Sequence, residues 1–204
     1  MMGKGRVEAF SDGVLAIILT IMVLELKVPR LLESQVNSWE SLIPLLPIFM
    51  SYLLSFIYVG IYWTNHHHLL HATHRITGGI LWANMHLLFW LSLIPFTTAL
   101  VGLNHLESMP TALYGLVLLL TGLAFFILEA TILAAEGPDS ALAEAVGNRW
   151  KEAASLIAYA VAIGTAFVHP YIAIGIYVLV AIAWLVPDRR IENVLKRRWQ
   201  PPKP

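Results

Sequence analysis

RVEAFSDGVLAIILTIMVLEL, residues 6–26, decides the fold. From Gly13 to Leu24 it carries no charge, and its only hydroxyl is Thr20. That apolar run alone is too short to cross a bilayer. Extended as one helix from Arg6 to Lys27, it spans ~33 Å at ~1.5 Å per residue, enough to cross. Asp12 then lies within or at the edge of the membrane, where a carboxylate is costly unless paired and so points to a function. At ~100° per residue, Gly13, Ile17, Thr20, Ile21, Leu24 and Val28 share one stripe, and Asp12 lies about 140° from Ile17. Ser11 also points off the stripe. One face is therefore aliphatic with a single threonine, and another carries the acid. The same pattern suits a helix that packs by its aliphatic face and is capped by a Ser-Asp pair.

Composition extends this reading to the whole chain. Of 204 residues, 58% are hydrophobic and 13% charged. The charged share is about half that of a soluble domain, and the mean hydropathy is +0.70. These values define an all-α integral membrane protein. The length suits one domain with about six crossings of ~20 residues. A net charge of zero gives no nucleic-acid signature, and the lack of cysteine removes disulfides, thiolate catalysis and Cys-based metal sites. Lys4 and Arg6 ahead of an apolar run loosely resemble a signal peptide, but Glu8 and Asp12 intrude and no small-residue cleavage site follows. The segment is expected to remain in the mature protein.

Further apolar segments follow at about 42–64, 80–101, 111–133, 153–168 and 171–186. Pro44 and Pro47 fall in the first turns of the second, where proline is tolerated. The second ends in NHHHLLHATHR, residues 65–75, which reads as a polar junction at the membrane surface. Pro95 is expected to kink the third. Residues 134–151 read as a loop with Gly137-Pro138 and mixed charges. The domain expected is residues 1–187, followed by a basic tail, 188–204, whose PPKP end is expected to be disordered. Six spans put both termini on one side. Eleven of the cationic residues, among them Lys4, Arg6, Arg75, Arg149 and Lys151, then share that side, against Lys27 and Arg30 on the other. The positive-inside rule makes the larger set cytoplasmic. Asp12 and the histidine cluster lie at that same end and could meet. No internal repeat is evident, so a symmetric pore has to come from several chains.

His66, His67, His68, His71 and His74 are concentrated, and the i,i+4 and i,i+3 spacings from His67 to His74 share a helix face. Such spacing can bind a metal. Histidine-box membrane enzymes need several separated boxes, however, whereas His86, His105 and His169 are isolated. Hydrogen bonding of some histidines to Asp12 or Ser11 is the preferred expectation. Glu129 is a second acid in an apolar segment, one turn from its end, and is expected to reach water. Thr20 is expected to hydrogen-bond the carbonyl four residues back. No nucleophile elbow, phosphate loop or carbonyl-lined potassium filter is present. A histidine-metal membrane enzyme and a proton-coupled carrier using Asp12, Glu129 and histidines remain alternatives to a channel.

Arg6, Phe10, Ser11 and Asp12 form R-x-x-x-F-S-D at the start of the first helix. This resembles the signature of the transmembrane protein 175 family, in its short prokaryotic form with six helices per chain. The WTNHH stretch, residues 63–67, and Ile94-Pro95-Phe96 are similar to that family as well. The resemblance implies a potassium-permeable channel, not an enzyme, built as a homotetramer among membrane lipids. No cofactor is implied beyond the permeant K+. The first helices would line the pore, with a constriction at Ile17, Ile21 and Leu24 above it, and Thr20 beside it as the polar lining. The Arg6, Phe10, Ser11, Asp12 motif would be structural, tied to partners among Trp63, Asn65, His66, His67 and Asn84. One repeat per chain fits a multi-pass protein of a prokaryotic plasma membrane.

Overall fold

The computed structural model describes residues 3–26, 43, 45–146 and 149–185. Lys27, Arg30, Val28, Pro44 and the basic tail lie outside these residues. The described chain is all helical: α1 Lys4–Met22, α2 Leu46–His71, α3 Gly78–Ser92, α4 Ile94–Leu103, α5 Ser108–Glu136, α6 Ala141–Val146, α7 Trp150–Ala166 and α8 Pro170–Leu185. A 3-10 turn, Val23–Glu25, continues α1. The first apolar stretch is thus an α-helix that tightens near its end.

Four spans are long and apolar enough to cross a membrane: Lys4–Glu25, Leu46–His71, Gly78–Leu103 and Ser108–Glu136. The expected fifth and sixth segments are α7 and α8, with 17 and 16 described residues. Each is shorter than the ~20 residues of a full crossing.

The structure refines the second and third segments. α2 runs on from the apolar stretch through the histidine cluster to His71. Buried Leu69 and Leu70 hold that last turn in the core. The third segment is two helices, broken at Leu93. Pro95 has no N–H for the preceding turn, so the ladder stops there and restarts with proline in the first turn of α4. Thr77 caps the start of α3, its Oγ1 accepting from Ile80 N at 3.3 Å. Residues 134–151 also contain the short α6, which no apolar period announces.

α5 is the central post, packed against α3, α4, α7 and α8, while α1 lies against α2, α3 and α4. Between apolar helices in lipid there is little hydrophobic drive, so close packing and interhelical hydrogen bonds hold the bundle. Gly102 shows the first: a Cβ there would come within 2.9 Å of Ile48 Cα, so glycine lets α4 touch the backbone of α2. The second is a buried hydroxyl set. Thr98 Oγ1 donates to Ser55 Oγ at 2.6 Å, Ser55 Oγ meets Tyr114 Oη at 3.0 Å, and Tyr58 Oη donates to Tyr177 O at 2.6 Å. These bonds join α2 to α4, α5 and α8.

Candidate functional site

α1 has two unlike faces. Val7, Ser11, Leu15, Ile18 and Met22 are buried against the rest of the chain. The opposite face is open: Ile17 is 57% exposed, Ile21 45% and Leu24 69%, against 1% for Leu15 and Met22. Thr20 is exposed on the same face. Its hydroxyl donates back to Ala16 O at 2.9 Å, with Ile17 O at 3.0 Å, as expected for a lone threonine in a membrane helix. The oxygen lone pairs remain available on the open side.

The rotation of α1 is fixed by polar contacts near its start. Asn84 of α3 donates from Nδ2 to Ser11 Oγ at 2.9 Å. His66 of α2 lies 2.7 Å from Asn84 Oδ1 through Nε2. An amide oxygen only accepts, so Nε2 carries the proton and donates. Ser11, His66 and Asn84 are all buried. Beside them, Trp63 Nε1 donates to Asp12 Oδ1 at 3.0 Å. Three helices thus meet on one serine-asparagine-histidine chain and one indole-carboxylate bond. Lys4 adds a fourth tie, donating from Nζ to His71 O at 2.6 Å at the C-terminal end of α2. A cation suits the unpaired carbonyls and negative dipole of that end.

The expected partners of the motif therefore divide. Trp63, His66 and Asn84 engage Ser11 and Asp12. Asn65 turns away and donates to Ile61 O at 2.8 Å within its own helix. His67 is exposed, with its ring 6.2 Å from Trp63 and stacked at 6.0 Å on His71, and it does not reach Asp12. The side chains of Arg6 and Phe10 are exposed and make no hydrogen bond or ion pair among the described residues. They sit on the open face near the Ile17 stripe, which is where their angular positions put them. Lys4 carries no special motif, and its contact was not foreseen.

Other titratable groups are structural. Glu129 does not reach water: it is buried, and its Oε1 lies 2.6 Å from Arg149 Nε. Arg149 also donates to Phe126 O at 3.0 Å and lies over the Phe126 ring at 3.5 Å. Glu136 accepts from the backbone N–H groups of His74 and Arg75 at 2.7 and 3.1 Å and pairs with His74 Nδ1 at 3.0 Å. His74 is thus drawn away from His67 and His71. Among the described residues, no three metal-type side chains converge. The positions of Lys4, Arg75 and Arg149 agree with one charged end of the bundle.

An open groove of about 660 Å³ runs between α1 and α4, lined by Ile17, Ile21, Pro95, Phe96 and Leu100 among others. The open face of α1 is one of several apolar faces on an all-helical bundle of membrane-crossing length, and similar proteins identify its family. The family described as endosomal/lysosomal potassium channel TMEM175 matches residues 6–95, from the motif into the first turn of α4. A potassium channel of Chryseobacterium sp. (strain P1-3) is 56% identical over 195 residues, 96% of this chain and 99% of that protein. The endosomal/lysosomal proton channel TMEM175 of Bos taurus is 39% identical over 83 residues, 37% of this chain and 17% of that one. The crystal structure of a lysosomal potassium-selective channel TMEM175 homolog from Chamaesiphon minutus matches with a TM-score of 0.78 and 26% identity, covering 91% of this chain and 97% of that one. The chain belongs to the TMEM175 family.

Proposed function

We propose that this chain is the subunit of a homotetrameric, potassium-permeable cation channel in a prokaryotic plasma membrane. Each subunit crosses six times, α7 and α8 included, and both termini are cytoplasmic. The first helices of four copies surround the pore. Ile17, Ile21 and Leu24 form the constriction and Thr20 supplies the polar lining. No cofactor takes part. The observation that carries this reading is the open face of α1. A helix of spanning length buries one face in its own chain and leaves an aliphatic stripe with a single hydroxyl unpartnered. The names of the relatives support potassium as the ion.

The chemistry follows from the stripe. A narrow ring of isoleucines excludes water, and an ion entering it loses hydration without replacement ligands. Conduction requires the ring to widen and hydrate. The serine-asparagine-histidine chain and the Trp63–Asp12 bond hold α1 at the rotation that presents this face. They are positioning contacts and do not touch the ion.

Purified protein in potassium-loaded liposomes tests the reading. Passive K+ efflux, together with a native mass of four chains in detergent, is the expected outcome. A stable monomer or dimer without passive flux contradicts it. Bound iron or zinc would favour a histidine-metal enzyme, and saturable flux driven by a proton gradient would favour a carrier. A purely proton current would move the ion, but not the pore, toward the vertebrate relatives.

A further inference from the structure

The outer face of α3 carries a polar group that lipid does not suit. Trp82, Met85, His86 and Phe89 are exposed and share one stripe at ~100° per residue. Ile80, Ala83, Asn84, Leu87 and Leu91, on the other side, are buried. His86 stands eight residues into a span of membrane-crossing length, ~12 Å from its start. The Trp90 indole donates to His86 Nε2 at 2.9 Å. An indole N–H only donates, so Nε2 accepts and the neutral imidazole carries its proton on Nδ1. That N–H has no acceptor among the described residues. Hydrocarbon offers none, and ionisable side chains at such depth face protein or a water-filled cavity. The large apolar neighbours on the stripe suit protein.

An acceptor is left open on the other flank of α1. Asp12 Oδ1 accepts from Trp63, while Oδ2 makes no hydrogen bond among the described residues. Asp12 is half-buried and Trp63 exposed. Counted from Ile17, Ser11 lies about 120° to one side of α1 and Asp12 about 140° to the other. Ser11 is held by Asn84 of α3 and Asp12 by Trp63 of α2. α3 and α2 therefore flank the open face of α1. With that face turned toward a central axis, α2 of one copy comes beside α3 of the next.

Depth restricts which residues can meet there. Rotation about an axis along the membrane normal keeps every residue at its own depth, so partners across the ring lie at equal depth. α1 and α3 run in the same direction, since Lys4 reaches the end of α2 from which the chain enters α3. The Asn84–Ser11 bond puts those two residues at one level. His86 lies ~3 Å beyond Asn84 and Asp12 ~1.5 Å beyond Ser11, so the open donor and the open acceptor match in depth.

Resting on the tetramer reading, we propose that the α3 stripe of each subunit docks on the α1–α2 edge of the next, with His86 Nδ1 donating to Asp12 Oδ2 of that neighbour. The contact is head-to-tail: one patch meets a different patch, and four repeats close the ring. A hydrogen bond to a carboxylate is among the stronger ones, and Trp82, Met85 and Phe89 pack around it. Asp12 then ties α1 both to its own α2 and to the neighbour's α3.

Cross-linking tests the pairing at positions outside the polar contacts. Ala16 is exposed and lies about 100° from Ile17 on the Asp12 side. It stands five residues beyond Ser11, as Phe89 stands five beyond Asn84, so the two match in depth. The chain has no cysteine of its own. Ala16→Cys/Phe89→Cys protein, oxidised with copper phenanthroline in liposomes, should give a ladder from dimer to tetramer on a denaturing gel. Each single-cysteine variant should stay monomeric on the gel, and the two co-expressed should give dimers. Dimers from one single-cysteine variant alone mark a like-to-like contact and overturn the proposal. Tetramers by native mass that give no ladder overturn this pairing of edges and leave the tetramer standing, whereas a chain that is monomeric by native mass overturns both. His86→Leu tetramers should dissociate in detergent at severalfold higher protein concentration than wild type. His86→Gln, which keeps a donor, should recover most of that loss. A His86→Leu tetramer as durable as wild type overturns the proposal.

Discussion

Arg149→Met should be the most destabilising of three related substitutions, Glu129→Leu the next, and the double variant the least. Glu129 and Arg149 form a buried ion pair, with Oε1 and Nε 2.6 Å apart. Removing one partner of such a pair typically costs ~3–5 kcal/mol, because it strands the other charge. The Arg149 side chain is 24% exposed, which lets it regain some water and places Glu129→Leu near the low end of that range. Without Arg149, Glu129 keeps Glu152 as a repelling neighbour and loses the guanidinium that offsets it. The double variant Glu129→Leu/Arg149→Met removes both charges of the pair and keeps their volume, so it should recover most of the loss. Thermal unfolding of the detergent-solubilised protein, followed by tryptophan fluorescence, measures the order. Equal stability of Glu129→Leu and wild type would show that the pair does not hold α7 to α5.

Ile17→Asn should raise K+ flux about tenfold or more and bring the K+ to Na+ preference toward unity. In the proposed tetramer a dry neck would set the barrier at the hydration that an ion gives up there, and an asparagine amide from each of its four subunits would hydrate the ring. Each ~1.36 kcal/mol removed from the barrier is a factor of ten in rate. Water-filled necks distinguish K+ from Na+ poorly, so preference falls as flux rises. Ile17→Ala should also raise flux, by widening the ring. Met22 lies about 140° from Ile17 on the wheel and is 1% exposed. Its volume-conserving change, Met22→Leu, should leave flux unaltered. Liposome flux and bilayer currents under K+ and Na+ gradients measure these effects on protein shown to stay assembled.

Much of this site was legible in the sequence because it violates the local pattern. An acid, a serine and a threonine in an apolar run are few enough to follow one at a time. The wheel separated Asp12 from Ile17, Thr20 and Leu24, and α1 has that division. Pro95 marked the break between α3 and α4 because a missing N–H acts locally. The partners were less legible, since interhelical pairing depends on rotation and depth that no single helix encodes. The histidines were expected near Asp12, yet the bond to Asp12 comes from the Trp63 indole, and His66 reaches Ser11 only through Asn84. Glu129 was expected to meet water because it lies near a segment end. Its fate is set by Arg149, which returns to α5 from the start of α7. The apolar run of the second segment stops at residue 64, while buried Leu69 and Leu70 carry the helix on through the histidines.

Cysteine accessibility tests the pore assignment most directly. The chain has no cysteine, so a thiol placed at Ile17 or Leu24 is the only one to react. A cationic methanethiosulfonate reagent added to Ile17→Cys or Leu24→Cys protein in liposomes should block K+ flux, because it leaves a charged, bulky group in the neck. Met22→Cys, buried in the chain's own core, and Leu179→Cys, exposed on α8, should keep their flux under the same treatment. Labelled Leu24→Cys and Ile17→Cys proteins that conduct as before, with flux lost instead at Leu179→Cys, would place the pore away from α1.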